Sequence, residues 1–456
     1  MYRLQIAAFS LTACLLHGAA AQEPAVPVSF TKDVAPILVK NCQACHGASD
    51  PKGGFQLHTF AALQKPGDSG SPPLTAGQPE ASELFRRIST DDADLRMPQD
   101  SDPLPAEQIE LLRRWIAEGA AFDGGDPQAT LVSIIPKLPH PAAPEAYRVP
   151  WPVTAIAFRP DGQELAIGGY HEITIWNPAD GTLLRRIGNV DERTYALAYN
   201  ADGSLLAAAS GTPGVSGEIR LYEPASGNLV RELASLSDAA FDVRFSPAFD
   251  RLAACGADRS IRVFDVASGT QQLLIEDHAD WVLAIAWNHD GTRLASASRD
   301  KTSKVFDAAT GESLVTFPGH GDVVYGVAFS PDGTQVLTGG ANRLIHVWNP
   351  ADGNKIADVG GFGGEVFRLS VAGGLLAATG ADRVARLFNV GDRAAVRNFE
   401  GHADWVFALS INEATRRLAT GSFDGEVRIW NLDDGAAIAT FKAAPGLGVA
   451  QTAQAQ

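Results

Sequence analysis

From residue 151 onward, an apolar strand closing in an aromatic returns seven times, as ITIWN, IRLYE, IRVFD, SKVFD, IHVWN, ARLFN and VRIWN. The aromatics are Trp176, Tyr222, Phe264, Phe306, Trp348, Phe388 and Trp430, at steps of 46, 42, 42, 42, 40 and 42 residues. A repeat of that length is a propeller blade, so seven recurrences predict seven blades over residues 151–442. Each unit reads as four antiparallel strands. Alternating segments such as VTAIAF and GVAFS open a unit, and turns such as Pro160-Asp161-Gly162 and Pro331-Asp332-Gly333 follow them. A second class of turn, at Asp180-Gly181, Ser268-Gly269, Thr310-Gly311 and Asp352-Gly353, links the aromatic strand to the outer one. Glycine accepts the positive φ that such tight hairpins demand.

Ahead of the repeats the period changes to that of helices. Val34, Ile37 and Leu38 share one face of a short helix that begins near Asp33. Residues 105–117 predict a second helix, with Pro105 in its first turn, Ile109, Leu112, Trp115 and Ile116 on one face, and Gly119 ending it. Five prolines between 136 and 150 predict a semi-rigid spacer, so residues 123–150 are expected as a linker. The last blade has its own outer strand, AAIATF, so no strand exchange with the N-terminus is required, although residues 130–135 could add one. Residues 443–456 are expected as a loose tail. At the other end, Arg3, an apolar run from Leu4 to Leu16 and Ala19-Ala20-Ala21 predict an export signal over residues 1–21. Leu11-Thr12-Ala13-Cys14 offers a lipid-anchor reading of the same segment, which the apolar Leu15 and Leu16 after the cysteine disfavour.

The formal charge of −16 argues against nucleic acid as a partner, because phosphate binding needs clustered Lys and Arg. Cysteine usage is more informative. With Cys14 in the leader, Cys42, Cys45 and Cys255 remain, too few for a disulfide framework. Cys255 lies in the apolar run LAACGA and reads as a core residue. Cys42, Cys45 and His46 form C-x-x-C-H, in which two thiols reach the vinyl carbons of a haem and the histidine ligates its iron. A thioredoxin-like dithiol would want a βαβ context, a structural zinc site a fourth ligand, and a local disulfide would leave His46 without a role. One covalent haem c is the expected cofactor. For the second axial position the mature chain offers Met97 as its single methionine, in the polar loop DLRMPQD, with His58 and His140 as the alternatives. A thioether there would give a higher potential than a second histidine.

These residues resemble the Planctomycete-type cytochrome c domain across 28–122. The resemblance rests on Phe30, Val34-x-Pro36-Ile37-Leu38, Cys42-x-x-Cys45-His46-Gly47, Lys52-Gly53-Gly54, Leu57, Gly67-Asp68-Ser69-Gly70, Met97-Pro98 and Leu112-Arg113-Arg114-Trp115-Ile116-x-x-Gly119-Ala120. It implies a small all-α domain in which Cys42 and Cys45 carry the haem and His46 and Met97 are the axial ligands. The repeats are similar to the WD-repeat family, so the fold class expected is multidomain: a small all-α cytochrome c domain and an all-β seven-bladed propeller. That similarity implies a hydrogen-bonded His, Ser/Thr, Asp and Trp set, complete in blade seven as His402, Ser422, Asp424 and Trp430. Blade four has His278, Ser298 and Asp300 with Phe306 in place of Trp, and blade five has His320 and Trp348 with Asn342. It further implies that the loops carrying these histidines share one face. There Trp281 and Trp405, Arg299 and Phe423 are the candidate binding residues, and residues 211–217 add a flexible loop.

The function expected is that of an exported, extracytoplasmic cytochrome. Iron with both axial positions filled suits outer-sphere electron transfer, and the propeller would serve as a platform for a redox partner protein. Asp91, Asp92, Asp94, Asp100 and Asp102 flank Met97, and could attract a basic partner or simply be solvated. Two other readings stand beside this one. The first is a redox enzyme whose propeller holds a second cofactor, as in the haem-containing nitrite reductases; His289 falls in a turn and His346 in a strand, which leaves His171 the least committed candidate ligand. The second is a structural scaffold with a minor redox role.

Overall fold

The computed structural model describes residues 27–48, 51–99, 101–136 and 139–447. The leader, Asp100 and the end of the tail lie outside them. The chain divides into two compact units, residues 1–138 and 139–456.

In the first unit a wide turn, Phe30–Val34, leads into α1, Ala35–Asn41, and buries Ile37 and Leu38 as their spacing requires. The second expected helix is α4 in chain order, Ala106–Ala117, with Leu112, Trp115 and Ile116 buried and Gly119 beyond its end at φ +106°. Between them lie α2, Phe60–Leu63, too short to display a stripe, and α3, Glu83–Ser89, whose Leu84, Phe85 and Ile88 do share a face that the sequence reading missed. The core is aromatic. Phe30 meets the edge of Phe60 at 4.9 Å and lies 5.3 Å from Trp115, while Phe60 stacks on Phe122 at 4.4 Å.

The expected linker is divided between the two units. Asp123 accepts hydrogen bonds from Ser29 Oγ and the Thr31 amide, which fastens the end of the helical unit to its start. The stretch 130–135 is not a propeller strand. Thr130 bridges Thr59, and Leu131–Ile134 forms α5 with Leu131 fully buried in the helical core, because its apolar side chains complete that core. Residues 139–150 belong to the second unit. There the Tyr147 hydroxyl donates to Glu172, and its backbone amide donates to Pro445 O, so the tail also begins as packed chain.

The second unit is seven antiparallel four-stranded sheets, each made of four consecutive strands, over 156–187, 193–236, 240–275, 282–317, 324–359, 366–399 and 406–442. All seven signature aromatics are buried on the third strand of their blade. First strands neighbour one another in a ring, and that ring closes where blade one meets blade seven. No strand is exchanged there. Instead Phe158 N donates to Ser410 Oγ, Asn412 Nδ2 donates to the carbonyls of Arg159 and Pro160, and Trp176 stacks on Phe441 at 4.8 Å. Gly181 is needed at this seam. Its φ is +72°, and a Cβ there would lie 2.5 Å from the Phe441 ring.

The histidine relay differs from the expectation at its hydroxyl. In blades four, five and seven, Nε2 of His278, His320 and His402 accepts from Ser296, Thr338 and Thr420, each 18 residues later, at 2.6–2.7 Å. Trp430 and Trp348 donate to the same threonines at 2.9 and 3.3 Å. Ser298 and Ser422 stand two residues further on, where the strand gives way to the turn, and Ser422 Oγ has no hydrogen-bond partner among the described residues. Only blade four joins its acid directly, with His278 Nδ1 donating to Asp300 at 2.7 Å. In blade seven Asp424 pairs with Lys442 instead.

Two outcomes follow from the relay. Thr420→Val removes a hydroxyl that both His402 and Trp430 use, and should destabilise the propeller by about 1–3 kcal/mol, whereas Ser422→Ala should be close to neutral. Urea unfolding of the two variants checks the assignment. Burial also pushes His320 and His402 down to about 4. The unfolded chain therefore takes up protons below pH 6.5 that the folded chain refuses, so stability should fall from pH 6.5 to pH 4 by about 3 kcal/mol per histidine and be flat above that window. Urea midpoints at pH 7, 5.5 and 4.5 measure it.

Candidate functional site

The C-x-x-C-H segment is a continuation of α1. Cys42 N bonds Leu38 O, and His46 N bonds Cys42 O at 3.0 Å, so the chain turns back on itself directly after the helix. His46 Nδ1–H donates to Phe55 O at 3.1 Å, which settles the tautomer and leaves Nε2 with its lone pair. Burial, followed by the neighbouring Cys45, pushes the Cys42 thiol up to about 11.

Cys42, Cys45, His46 and Met97 all line one cavity of about 480 Å³, within the usual range for cofactor sites. Phe55, Leu57, Pro73, Leu84 and Ile88 supply apolar wall, and Lys52 and Arg87 supply cations. Helix α3, which the sequence reading missed, carries Leu84, Arg87 and Ile88 to this wall. It also holds the methionine loop, because Met97 N donates to Arg87 O at 2.9 Å and the Arg87 side chain bonds Glu83 and Leu95 O. The alternative ligands lie elsewhere. His58 is absent from the cavity wall, and its carbonyl accepts from Leu131 N. His140 belongs to the second unit and donates to Glu218 at 2.8 Å. Asp91, Asp92, Asp94 and Asp102 are exposed to solvent. The donor set and the apolar walls fit a haem attached at Cys42 and Cys45.

On the propeller the candidate face forms two similar groups. Arg299 lies over the Trp281 ring at 4.0 Å and donates to Asp280 at 2.7 Å. Trp405 and Phe423 are 48% and 44% exposed, with ring centroids 6.4 Å apart. Phe367 and Phe407 extend this second group, stacked at 4.6 Å, and Phe241 meets Trp281 at 5.5 Å. The sequence reading missed these inner aromatics. Their signal is an aromatic recurring near the start of the first strand, at its second position in Phe241, Tyr325, Phe367 and Phe407 and at its third in Tyr195. The stretch 211–217 is not a loose loop, since residues 206–212 and 216–223 pair as one long hairpin with Thr212 opposite Ser216.

The axis itself is filled. Arg368 of blade six donates to the Tyr195 carbonyl of blade two at 3.0 Å and lies 4.0 Å from Asp242 of blade three. Asp242 in turn accepts from Ile285 N of blade four. The space left beside Arg368, Arg244 and Asp242 is about 30 Å³, room for about two waters. His171 and His346 are engaged with Val190 O and Asp358.

Residues 42–101 match the family described as Planctomycete cytochrome C. Residues 227–265, 269–307, 311–349 and 393–431 match the WD domain, G-beta repeat. Among curated proteins, the chain is similar to a U3 small nucleolar RNA-associated protein 15 homolog of Xenopus laevis, 36% identical over 15% of this chain and 14% of that protein. It is similar to mitochondrial division protein 1 of Schizosaccharomyces pombe, 34% identical over 13% of this chain and 9% of the other. It is also similar to the WD repeat and HMG-box DNA-binding protein 1 of Mus musculus, 36% identical over 14% and 6%. The chain thus spans less than a sixth of these relatives' lengths, and what they bind does not transfer with so short a match.

Proposed function

For a chain that joins a Planctomycete-type cytochrome c domain to a seven-bladed WD-repeat propeller, we propose the work of an exported c-type cytochrome that passes single electrons to or from a protein held by the propeller. The observation that carries this is the convergence of Cys42, Cys45, His46 and Met97 on one largely apolar cavity. A bound haem supplies reversible one-electron chemistry. Cys42 and Cys45 would hold it covalently. His46, fixed by the Phe55 carbonyl, and Met97, fixed through α3, would ligate its iron and leave no place for a substrate, and a thioether would raise the potential relative to two histidines. Phe55, Leu57, Leu84 and Ile88 keep water from the ring, which stabilises that potential.

Export through residues 1–21, with cleavage near Ala21, belongs to this reading, because haem is attached to C-x-x-C-H outside the cytoplasm. No helix among the described residues is long and apolar enough to cross a membrane. The propeller's part is docking. Trp281, Arg299, Trp405 and Phe423 are the side-chain types that anchor protein interfaces. A propeller that carries a second haem at its axis is disfavoured, since Arg368 and Asp242 occupy that space.

The test uses the full chain from a host able to attach haem c. One haem per chain should stay with the polypeptide through denaturing electrophoresis and be lost in Cys42→Ala/Cys45→Ala. The oxidised protein should show the weak sulfur-to-iron absorption at the red end of the spectrum, absent in Met97→Ala, whose midpoint potential should fall. Haem freely extracted by acid acetone, or a red band that survives Met97→Ala, would overturn the assignment. For the docking surface, Arg299→Glu/Phe423→Ala should keep its haem and fold yet lose recovery of the redox partner in a pull-down. Undiminished recovery places docking elsewhere.

A further inference from the structure

Blade two departs from the 42-residue period by four residues, and the excess builds something. It lengthens the hairpin of residues 206–212 and 216–223, placing Thr212 and Ser216 opposite each other at its tip. Both hydroxyls donate to one carboxylate, Thr212 Oγ1 to Asp191 Oδ1 at 2.8 Å and Ser216 Oγ to Asp191 Oδ2 at 2.6 Å. Two residues further along the same strand, Glu218 is held on one oxygen by Arg220 at 2.8 Å, and its other oxygen accepts from His140 Nε2 at 2.8 Å. His140 is itself positioned by its backbone amide, which donates to Asn189 Oδ1 at 3.0 Å. The imidazole nitrogen and one oxygen from each carboxylate all lie within 4.8 Å of one another. None of these residues serves the haem cavity or the histidine relay.

Charge makes the cluster unusual. Asp191 and Glu218 are only 3% and 5% exposed. Arg220 offsets Glu218, but the hydrogen bonds to Asp191 come from two hydroxyls and the Glu192 amide, so no cationic side chain touches it directly. A buried carboxylate oriented by two hydroxyls, beside a second carboxylate and an imidazole, presents three convergent ligand atoms to a cation.

We propose that His140, Asp191 and Glu218 bind one divalent transition-metal ion of the zinc class, which fastens the segment entering the propeller to blade two. One imidazole nitrogen and two carboxylate oxygens suit zinc, whose bonds of about 2.0–2.2 Å place ligand atoms roughly 3.3 Å apart in a tetrahedron. The donors lie within 4.8 Å of one another, so an ion would draw them together, with water as the fourth ligand. Thr212 and Ser216 orient the Asp191 carboxylate, as outer-shell donors do in metal sites. Arg220 does the same for Glu218.

The experiment is calorimetric titration of zinc chloride into the full chain after removal of divalent ions, with and without Cys42→Ser/Cys45→Ser so that free thiols add no competing site. One saturable zinc per chain is expected in both backgrounds, accompanied by a rise in the propeller's melting temperature. His140→Gln should abolish this binding. Thr212→Val/Ser216→Ala, which leaves all three ligands in place, should weaken it about 10-fold. Circular dichroism verifies that each variant keeps its fold. Absence of saturable binding, or an unchanged affinity in folded His140→Gln, would overturn the proposal and leave the cluster an ion pair between His140 and Glu218. The result does not depend on whether the helical unit carries haem.

Discussion

A four-stranded sheet has two faces and no interior, so no blade of this chain can bury its own apolar side chains. That constraint governs the whole second unit. Each signature aromatic is buried against the preceding blade, and the ring is complete only when blade seven covers Trp176 of blade one. Closure here depends on side chains instead of a shared strand, with the Trp176–Phe441 stack, the Asn412 bonds to Arg159 and Pro160, and a glycine where the two blades come closest. The same demand for closure explains the filled axis. Arg368 reaches from blade six to the carbonyl of Tyr195 in blade two, and Asp242 ties blade three to the amide of Ile285 in blade four.

The helical unit solves a different problem with similar economy. Its proposed task is to hold a large flat group by few residues, and two segments from distant parts of the chain approach the one cavity. The first is the turn after α1, where the Phe55 carbonyl orients His46. The second is the methionine loop, tied to α3 through the Arg87 carbonyl. The α3 helix therefore both walls the cavity and positions the residue proposed as the second axial ligand. A displacement of α3 would alter the apolar environment and the axial ligation together.

The two units also differ in how they use polar burial. The propeller hides histidines in neutral form behind Ser and Thr hydroxyls, a source of acid sensitivity. Beside blade two it buries two carboxylates instead, Asp191 oriented by hydroxyls of the lengthened hairpin and Glu218 by Arg220. An insertion within an otherwise regular repeat is where a chain of this kind can place new chemistry without disturbing the stacking of its blades.

By itself the sequence determined whatever is local or periodic. The 42-residue recurrence of strand and aromatic specified seven blades, because each blade is one contiguous stretch of chain. The helices of residues 35–41 and 106–117 followed from their apolar spacing, and C-x-x-C-H carried its own chemistry in five consecutive residues. What joins distant segments was decided only by tertiary structure. The division of residues 123–150 between the units depended on which core had room for Leu131 and which for Tyr147. The relay hydroxyl fell to Thr420 and not to Ser422 because strand register, which composition does not reveal, brings that residue beneath His402. That α3 walls the same cavity as Met97 is a tertiary fact, and Asp191, Glu218 and His140 meet only once the hairpin and the incoming segment are folded against each other. Hydrophobic pattern encodes which face a residue takes; it does not encode which partner that face will meet.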